Sequence, residues 1–266
     1  MRQRVHLIAA AIALLCGTSH AATVLKTVTR DLGNNSQSVT TVYAQGGKMR
    51  VETGGAQDNY VLFANDALNN VNPSERSYIV IDRESMKSMA ATLNPMLQQM
   101  QERMKNMTPE QRAQMERMMG PEMAAAMGGG KPPAEQIRKT GKSDKIAGYN
   151  CSYAEVLRDG TVVREVCVTP LNALQGGQEL AKASAQVGTL LEEVLKEVNA
   201  PMLRQMASQQ LDNYDKLGGV PVFARMFKDG KPTREATLQS IATQTVPASL
   251  FEVPAGFTRK EMMPQR

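Results

Sequence analysis

Residues 149–168 read YNCSYAEVLRDGTVVREVCV and indicate which kind of fold the chain adopts. Two runs rich in β-branched and alternating residues, 149–157 and 161–168, flank an Arg-Asp-Gly sequence. This pattern is typical of a β-hairpin whose three-residue loop ends with Gly160 in the left-handed conformation. The register set by such a loop places Cys151 directly opposite Cys167. In an oxidising compartment, a disulfide between these two cysteines is therefore expected.

Similar strand signals lie on both sides of this hairpin. Short alternating or β-branched segments separated by Gly, Asn and Asp precede it, and they predict five antiparallel strands at 23–30, 38–44, 48–52, 60–64 and 77–81. Two more strands are predicted after it, at 220–227 and 234–246, joined by a Lys-Asp-Gly-Lys turn. An apolar tail, 247–257, follows them.

The segment 84–127 differs in character, because it has no strand signal and contains eleven methionines. Its apolar residues recur every three or four positions, which predicts helices with one apolar stripe. Asn94-Pro95 and the Thr108–Gln111 capping box indicate helix starts, so two or three consecutive helices are expected. The sequence GGGKPP then ends an insertion and linker that spans 84–133.

A second helical region is predicted at 171–216. Its apolar face consists of Leu190, Leu191, Val194, Leu195 and Val198. Pro201 is expected to interrupt this region.

The first 21 residues are typical of a cleaved signal peptide. Arg2 and Arg4 precede an apolar run of twelve residues, and small residues at Ser19 and Ala21 favour cleavage after position 21. The alternative is a lipoprotein acylated on Cys16, although Leu15 stands where such sites need a small residue. We therefore expect residues 22–266 to form a single periplasmic domain without a transmembrane segment.

Cleavage at that point would remove both histidines, His6 and His20, which disfavours Ser-His and Cys-His catalysis. The net charge of the mature chain would be only about +3, and Trp is absent, so a nucleic-acid interface is not expected. We predict a protein that is not an enzyme and needs no cofactor.

The methionine stripe leaves three interpretations open. It can be core packing, because Met fills irregular apolar space. It can be a lid or groove for lipid or another apolar ligand, formed by Met89, Leu93, Met96, Met100, Met104 and Met107. It can be a soft-metal site for copper, for which the best cluster is Met115, Met118, Met119 and Met123. An exposed apolar face could also bind a protein partner in the cell envelope or act as a chaperone-like module.

Three stretches resemble a known family. They are GKSDKIAGYNC at 141–151, TPEQR at 108–112 and VPASLFEVPAGF at 246–257. Together they resemble an uncharacterised family of bacterial periplasmic domains of unknown function, whose wider relatives are similar to the lipoprotein carriers LolA and LolB. The resemblance implies a half-barrel whose concave face holds acyl chains.

The expected fold is therefore α+β. A curved antiparallel sheet is built from 23–82 and 137–257, and the helices in 84–127 and 171–216 cover its concave face. The expected function is non-enzymatic binding of apolar ligands such as lipid or acyl chains.

Overall fold

The computed structural model describes residues 20–54, 58–106, 135–197 and 217–262, together with positions 108, 110, 111 and 114. In these ranges the chain forms one mixed sheet and two long helices, α1 (Arg83–Lys105) and α2 (Gly177–Glu197). The strands are β1 (His20–Asp31), β2 (Gln37–Gln45), β3 (Lys48–Thr53), β4 (Tyr60–Ala64), β5 (Ala67–Asn72), β6 (Ser77–Ile81), β7 (Glu135–Ile146), β8 (Tyr149–Arg158), β9 (Thr161–Thr169), β10 (Val220–Lys228), β11 (Lys231–Val246) and β12 (Thr258–Lys260).

The strands lie in the order β12-β6-β5-β4-β3-β2-β1-β11-β10-β9-β8-β7. Neighbours are antiparallel except at the β12–β6 pair. β1 and β11 lie side by side in the middle and join the meander β1–β6 to the strands of the second half. The expected α+β fold, a curved antiparallel sheet with helices on one face, is confirmed. No helix in the described ranges is long and apolar enough to span a membrane.

Tight turns set the strand boundaries. Asn65 and Asp66 both have positive φ values, 53° and 54°, as a type I′ hairpin turn requires. The strand that follows this turn, β5, was not expected from the sequence, because its three asparagines look like a loop. The meander therefore has six strands rather than five.

The hairpin that contains the cysteines differs in register from the expectation. Asp159 and Gly160, with φ values of 49° and 77°, form a two-residue loop in place of the predicted three-residue loop. A register shift beyond Leu157 then pairs Cys167 with Tyr153, so the two cysteines lie diagonally across the ladder instead of directly opposite. The disulfide between Cys151 and Cys167 is nevertheless formed, with the two Cα atoms 5.3 Å apart.

The larger apolar cluster lies between the sheet and the two helices. α2 contributes a buried stripe at the helical spacing of three to four residues, and both cysteines are buried beside it. The members of the stripe are Leu180, Ala183, Val187, Leu190 and Val194. The expected apolar face of this helix is confirmed at Leu190 and Val194, while Val198 and Pro201 lie outside the described residues.

A close backbone approach fixes the start of α2 against the sheet. Gly176 has a φ of 73°, and a Cβ atom there would lie 2.0 Å from the Thr23 hydroxyl. That hydroxyl donates a hydrogen bond to the Gly176 carbonyl at 3.3 Å. One turn later, the Glu179 carboxylate accepts a hydrogen bond from the Gly47 N–H at 3.1 Å. Only glycine allows this approach at position 176.

A second apolar cluster lies on the other face of the sheet, around the 3₁₀ turn Ala248–Phe251. Phe251 is 1% exposed and packs with Leu62 and Val71. The turn is tied to β3 by Arg50, whose Nη1 donates to the Leu250 carbonyl at 3.2 Å. The Arg50 guanidinium also lies 3.6 Å above the Tyr60 ring, a cation–π contact.

Residues 1–19, which contain most of the predicted signal peptide, lie outside the described residues. Cleavage after Ala21 would remove the first two residues of β1, which pair with Val246 and Thr245. The signal peptide and the periplasmic location stay predictions.

Replacing both cysteines by alanine should destabilise the fold measurably. The disulfide closes a loop of 16 residues, and in the chain-entropy model such a link contributes about 3 kcal/mol. For a domain of this size, we expect the melting temperature to fall by roughly 6–12 °C. The measurement is thermal unfolding by circular dichroism at equal protein concentration.

The matched control is Thr161→Ala, an exposed change in the same hairpin that should leave the melting temperature almost unchanged. If the double variant melts with the wild-type chain, the disulfide does not stabilise this hairpin.

Candidate functional site

Helix α1 carries the first part of the methionine stripe, and its start is fixed by a reciprocal cap. The Asp82 carboxylate accepts a hydrogen bond from the Ser85 N–H at 2.7 Å, while the Ser85 hydroxyl accepts one from the Asp82 N–H at 3.0 Å. The hydrogen bond from the Ser85 backbone is the main cause that lowers the pKa of Asp82. An anionic side chain at this position also interacts favourably with the helix dipole.

The first turns of α1 belong to the core. Met86 and Ala90 are 4% and 5% exposed and are members of the larger apolar cluster. Met89, predicted as a ligand-binding residue, is half-buried and packs against the same cluster. This part of the stripe therefore packs against the core, and a ligand-binding role for Met89 stays a prediction.

The helix break predicted at Asn94-Pro95 is absent from α1. Pro95 lies inside a continuous helix, and Asn94 does not begin a new one. Proline removes one backbone hydrogen bond from the helix. Next to Pro95, α1 is tied to the end of α2, because the Asn94 Nδ2 donates a hydrogen bond of 3.3 Å to the Glu197 carbonyl. Arg83 adds an exposed ion pair to Glu193, at 2.8 Å, one turn earlier along α2.

Around this anchor the stripe reaches the surface. Leu93 is half-buried and Met96 is 58% exposed, the highest value among the exposed large apolar residues of the described chain. We call these two residues the outer stripe. The next predicted ligand residues, Met100 and Met104, lie in the last turns of α1, but their side chains are outside the described part of the structure, as is Met107.

The capping box predicted after α1 is present. The Thr108 N–H donates to the Gln111 Oε1 at 3.0 Å, and the Gln111 N–H donates to the Thr108 hydroxyl at 3.3 Å. The copper alternative cannot be placed in the same way. Its residues Met115, Met118, Met119 and Met123 all lie outside the described residues.

A row of charged side chains across five strands was not foreseen from the sequence. Arg138 on β7 donates to Glu155 on β8 at 2.9 Å. Further along the row, Arg225 on β10 binds Glu165 at 3.3 Å and Glu235 at 2.8 Å. The Arg138 pair is exposed and contributes little to stability, whereas both Arg225 pairs are half-buried. Their position becomes predictable only when the register of β7 to β11 is known.

The shifted pKa values all move away from neutrality. Hydrogen bonds are the main cause that lowers the pKa of three carboxyl groups. Glu75 accepts from Lys260, Asp82 accepts from the Ser85 backbone, and Glu110 accepts from its own backbone. Burial is the main cause that raises the pKa of Tyr43 and Tyr153. No three His, Cys, Asp or Glu side chains of the described ranges come together as metal ligands would.

Comparison with known families matches residues 84–257, well over half of the chain, to the family named domain of unknown function DUF4412. The chain belongs to this family. The DUF4412 match begins at Glu84, in the first turn of α1, and therefore includes the Met-rich segment as well as strands β7 to β11. No curated protein matches the chain.

Solved structures provide distant likenesses only. An uncharacterised conserved protein from Thermus thermophilus is 9% identical, with 92% of this chain and 91% of that chain covered and a TM-score of 0.41. The MucA/MucB complex of Pseudomonas aeruginosa gives 11% identity, 89% and 56% coverage and a TM-score of 0.37. PNGF-II gives 10% identity, 91% and 31% coverage and a TM-score of 0.36. Likenesses this distant carry no information about activity or partners.

The cap at Asp82 generates a prediction about pH. Asp82→Ala should lower the free energy of unfolding by about 1 kcal/mol at pH 7, as is usual for the loss of an N-cap. Because the folded-state pKa of Asp82 lies below its ordinary value of 3.8, this contribution is fully present above that value and is lost as the pH falls below it. The stability gap between wild type and Asp82→Ala should therefore narrow from pH 5 to pH 3 in urea unfolding.

Asp82→Asn is the matched control, since asparagine caps helices about as well as aspartate but does not titrate. Its gap to Asp82→Ala should stay constant over the same pH range. A wild-type gap that is equally constant would contradict the role given to the carboxylate.

Proposed function

We propose that this protein is a non-enzymatic, envelope-associated binding protein of the periplasm, and that it takes apolar ligands such as lipid or acyl chains on the outer stripe of α1. The observation that carries the proposal is the position of Met96. It continues the apolar stripe whose inner members, Met86 and Ala90, are buried in the core, yet it is 58% exposed itself. Leu93, which lies between Ala90 and Met96 in the sequence, is half-buried.

The chemistry of methionine supports an adaptable apolar contact. Its unbranched, polarisable side chain can follow the shape of different acyl chains at little cost. Burying such a side chain fully contributes about 1.5–3 kcal/mol. Met96 and Leu93 are already partly buried, so an acyl chain on the outer stripe gains a part of this free energy from each, and such weak contacts suit a carrier that must also release what it binds.

The position of the outer stripe supports binding without a large rearrangement. α1 is held at its first turn by the Asp82 cap, along its first turns by the core and at Asn94 by the end of α2. The outer stripe lies on either side of the last of these anchors, with Leu93 before Asn94 and Met96 after it. A ligand that docks there therefore meets a surface that is already ordered, so little ordering entropy opposes binding.

The compartment is proposed from two features. Residues 1–21 have the pattern of a signal peptide, and the buried disulfide between Cys151 and Cys167 suits an oxidising environment. The resemblance to LolA and LolB, whose fold holds acyl chains, adds the ligand class. The absence of enzymatic activity is proposed because the cleaved chain would contain no histidine and the shifted pKa values lie away from neutrality.

The proposal is tested by Met96→Glu, measured with a fluorescent, dansyl-labelled undecanoic acid as the acyl probe. A charge at Met96, the more exposed residue of the outer stripe, should lower the affinity for this probe at least tenfold, because the carboxylate would lose its hydration against the acyl chain. Since Met96 is exposed, circular dichroism and the melting temperature should stay as in the wild type.

Gln98→Glu is the matched control. It adds the same charge to the same exposed helix, but about 200° around the axis from Met96, so the affinity should change less than twofold. Equal losses in both variants would point to a general charge effect. A wild-type chain that does not bind the probe would overturn the proposal.

A further inference from the structure

The C-terminal strand β12 is attached to the sheet in an unusual way. It is three residues long, and it is parallel to β6 where every other neighbouring pair in the described sheet is antiparallel. Thr258, Arg259 and Lys260 are all exposed. Such a strand covers the outer edge of β6, where backbone groups would otherwise be open to another chain.

Polar contacts hold β12 on an acidic surface. The Thr258 N–H donates to the Arg76 carbonyl at 2.9 Å. The Lys260 ammonium forms an ion pair with Glu75, and both side chains are more than half exposed. The pKa of Asp82, at the start of α1, is lowered mainly by the hydrogen bond from the Ser85 backbone and further by the positive charge of Arg259. The edge beneath the tail therefore presents two carboxylates to two cations.

The tail also makes an apolar contact, two residues after Lys260. Met262 is half-buried and packs against the larger apolar cluster between the sheet and the helices. Extending the parallel register from Lys260 opposite Ile79 places Met262 level with Ile81, at the last residue before the loop to α1. The tail thus fits this edge with a cation at one position and an apolar side chain two residues later.

The attachment is weaker than the segment that precedes it. Phe251 is fully buried on the opposite face of the sheet, and Phe257 packs against the same cluster. In the described residues after Phe257, 258–262, the chain is held by a short exposed strand, an exposed ion pair and one half-buried methionine. Exposed ion pairs contribute little, and segments held by such contacts open locally at low cost.

We propose that Thr258–Met262 is a displaceable tail that occupies an interaction surface for an extended segment of a partner protein. The surface, which we call the tail dock, consists of the outer edge of β6 with Glu75, Asp82 and the adjoining end of the apolar cluster. It accepts a peptide that runs parallel to β6 and has the tail's own pattern, a basic residue over Glu75 and an apolar residue two positions later. This is recognition by strand addition, in which the backbone supplies affinity and the side chains supply selectivity. The tail dock shares no residue with the outer stripe, so the inference does not depend on the proposed function.

The test is made with a chain that ends at Phe257 and a fluorescein-labelled peptide that has the sequence of residues 257–265. The peptide should bind the shortened chain at least tenfold more tightly than the intact chain, because the attached tail competes at an effective concentration on the order of millimolar. A second peptide, with Lys260→Glu and Met262→Ser, should bind the shortened chain at least tenfold more weakly. Fluorescence anisotropy measures both.

Equal binding of the two peptides, or none to a shortened chain that keeps its circular dichroism spectrum, would overturn the inference. If the shortened chain does not fold, amide hydrogen exchange in the full chain decides instead. Thr258 should exchange at least tenfold faster than Val71 in the core, and Lys260→Glu should accelerate it further without changing the melting temperature. Adding Glu75→Lys should restore the slower rate. Exchange of Thr258 as slow as that of Val71 would show that the tail is a permanent part of the sheet.

Discussion

The pairing of β1 with β11 is the constraint on which the rest of the structure depends. Twelve residue pairs join the two strands, from His20 opposite Val246 to Asp31 opposite Arg234. Without this pairing, the meander β1–β6 and the strands β7–β11 would be two separate sheets, each with one more open edge. α2 packs across the join, because its cluster contains Leu25 and Ala44 from the first half and Cys167 and Val220 from the second. Pairings this distant in sequence must overcome a large loop-closure entropy, so the core can be completed only after the two halves meet.

The strands that could be predicted from sequence are those that bury one face. β4 and β6 agree residue for residue with the segments expected from their apolar and β-branched composition. The strands that were not expected lack this pattern for a physical reason. β7 lies at an edge and is exposed along almost its whole length, and β12 is exposed at all three residues. Neither needs apolar alternation, because each is placed by backbone pairing with a single neighbour rather than by burial of one face.

The candidate site shows the same division between pattern and context. The disulfide was predicted correctly although the register was wrong. A shift from directly opposite to diagonal keeps both cysteines on one face of the hairpin, and a disulfide spans either arrangement. The helix that carries the first part of the methionine stripe, from Met86 to Met96, was predicted correctly, but periodicity does not say what covers its apolar face. Met86 packs into the cluster between the sheet and the helices, whereas Met96 is 58% exposed. The continuation of α1 through Pro95 could not be predicted either. The hydrogen bond from Asn94 to the Glu197 carbonyl at this point joins two helices, and such a tertiary contact leaves no signal in the local sequence.

α1 brings the two proposed surfaces into one element, and its anchors determine how they can influence each other. The tail dock adjoins the start of the helix, where Asp82 caps the first turn, and the outer stripe lies on either side of Asn94. Coupling between two sites requires an element with two arrangements that each ligand stabilises differently. Between these surfaces the helix is fixed by buried Met86 and Ala90, so loss of the tail leaves its backbone in place. A partner peptide and an apolar ligand should therefore bind independently, so that neither changes the affinity of the protein for the other.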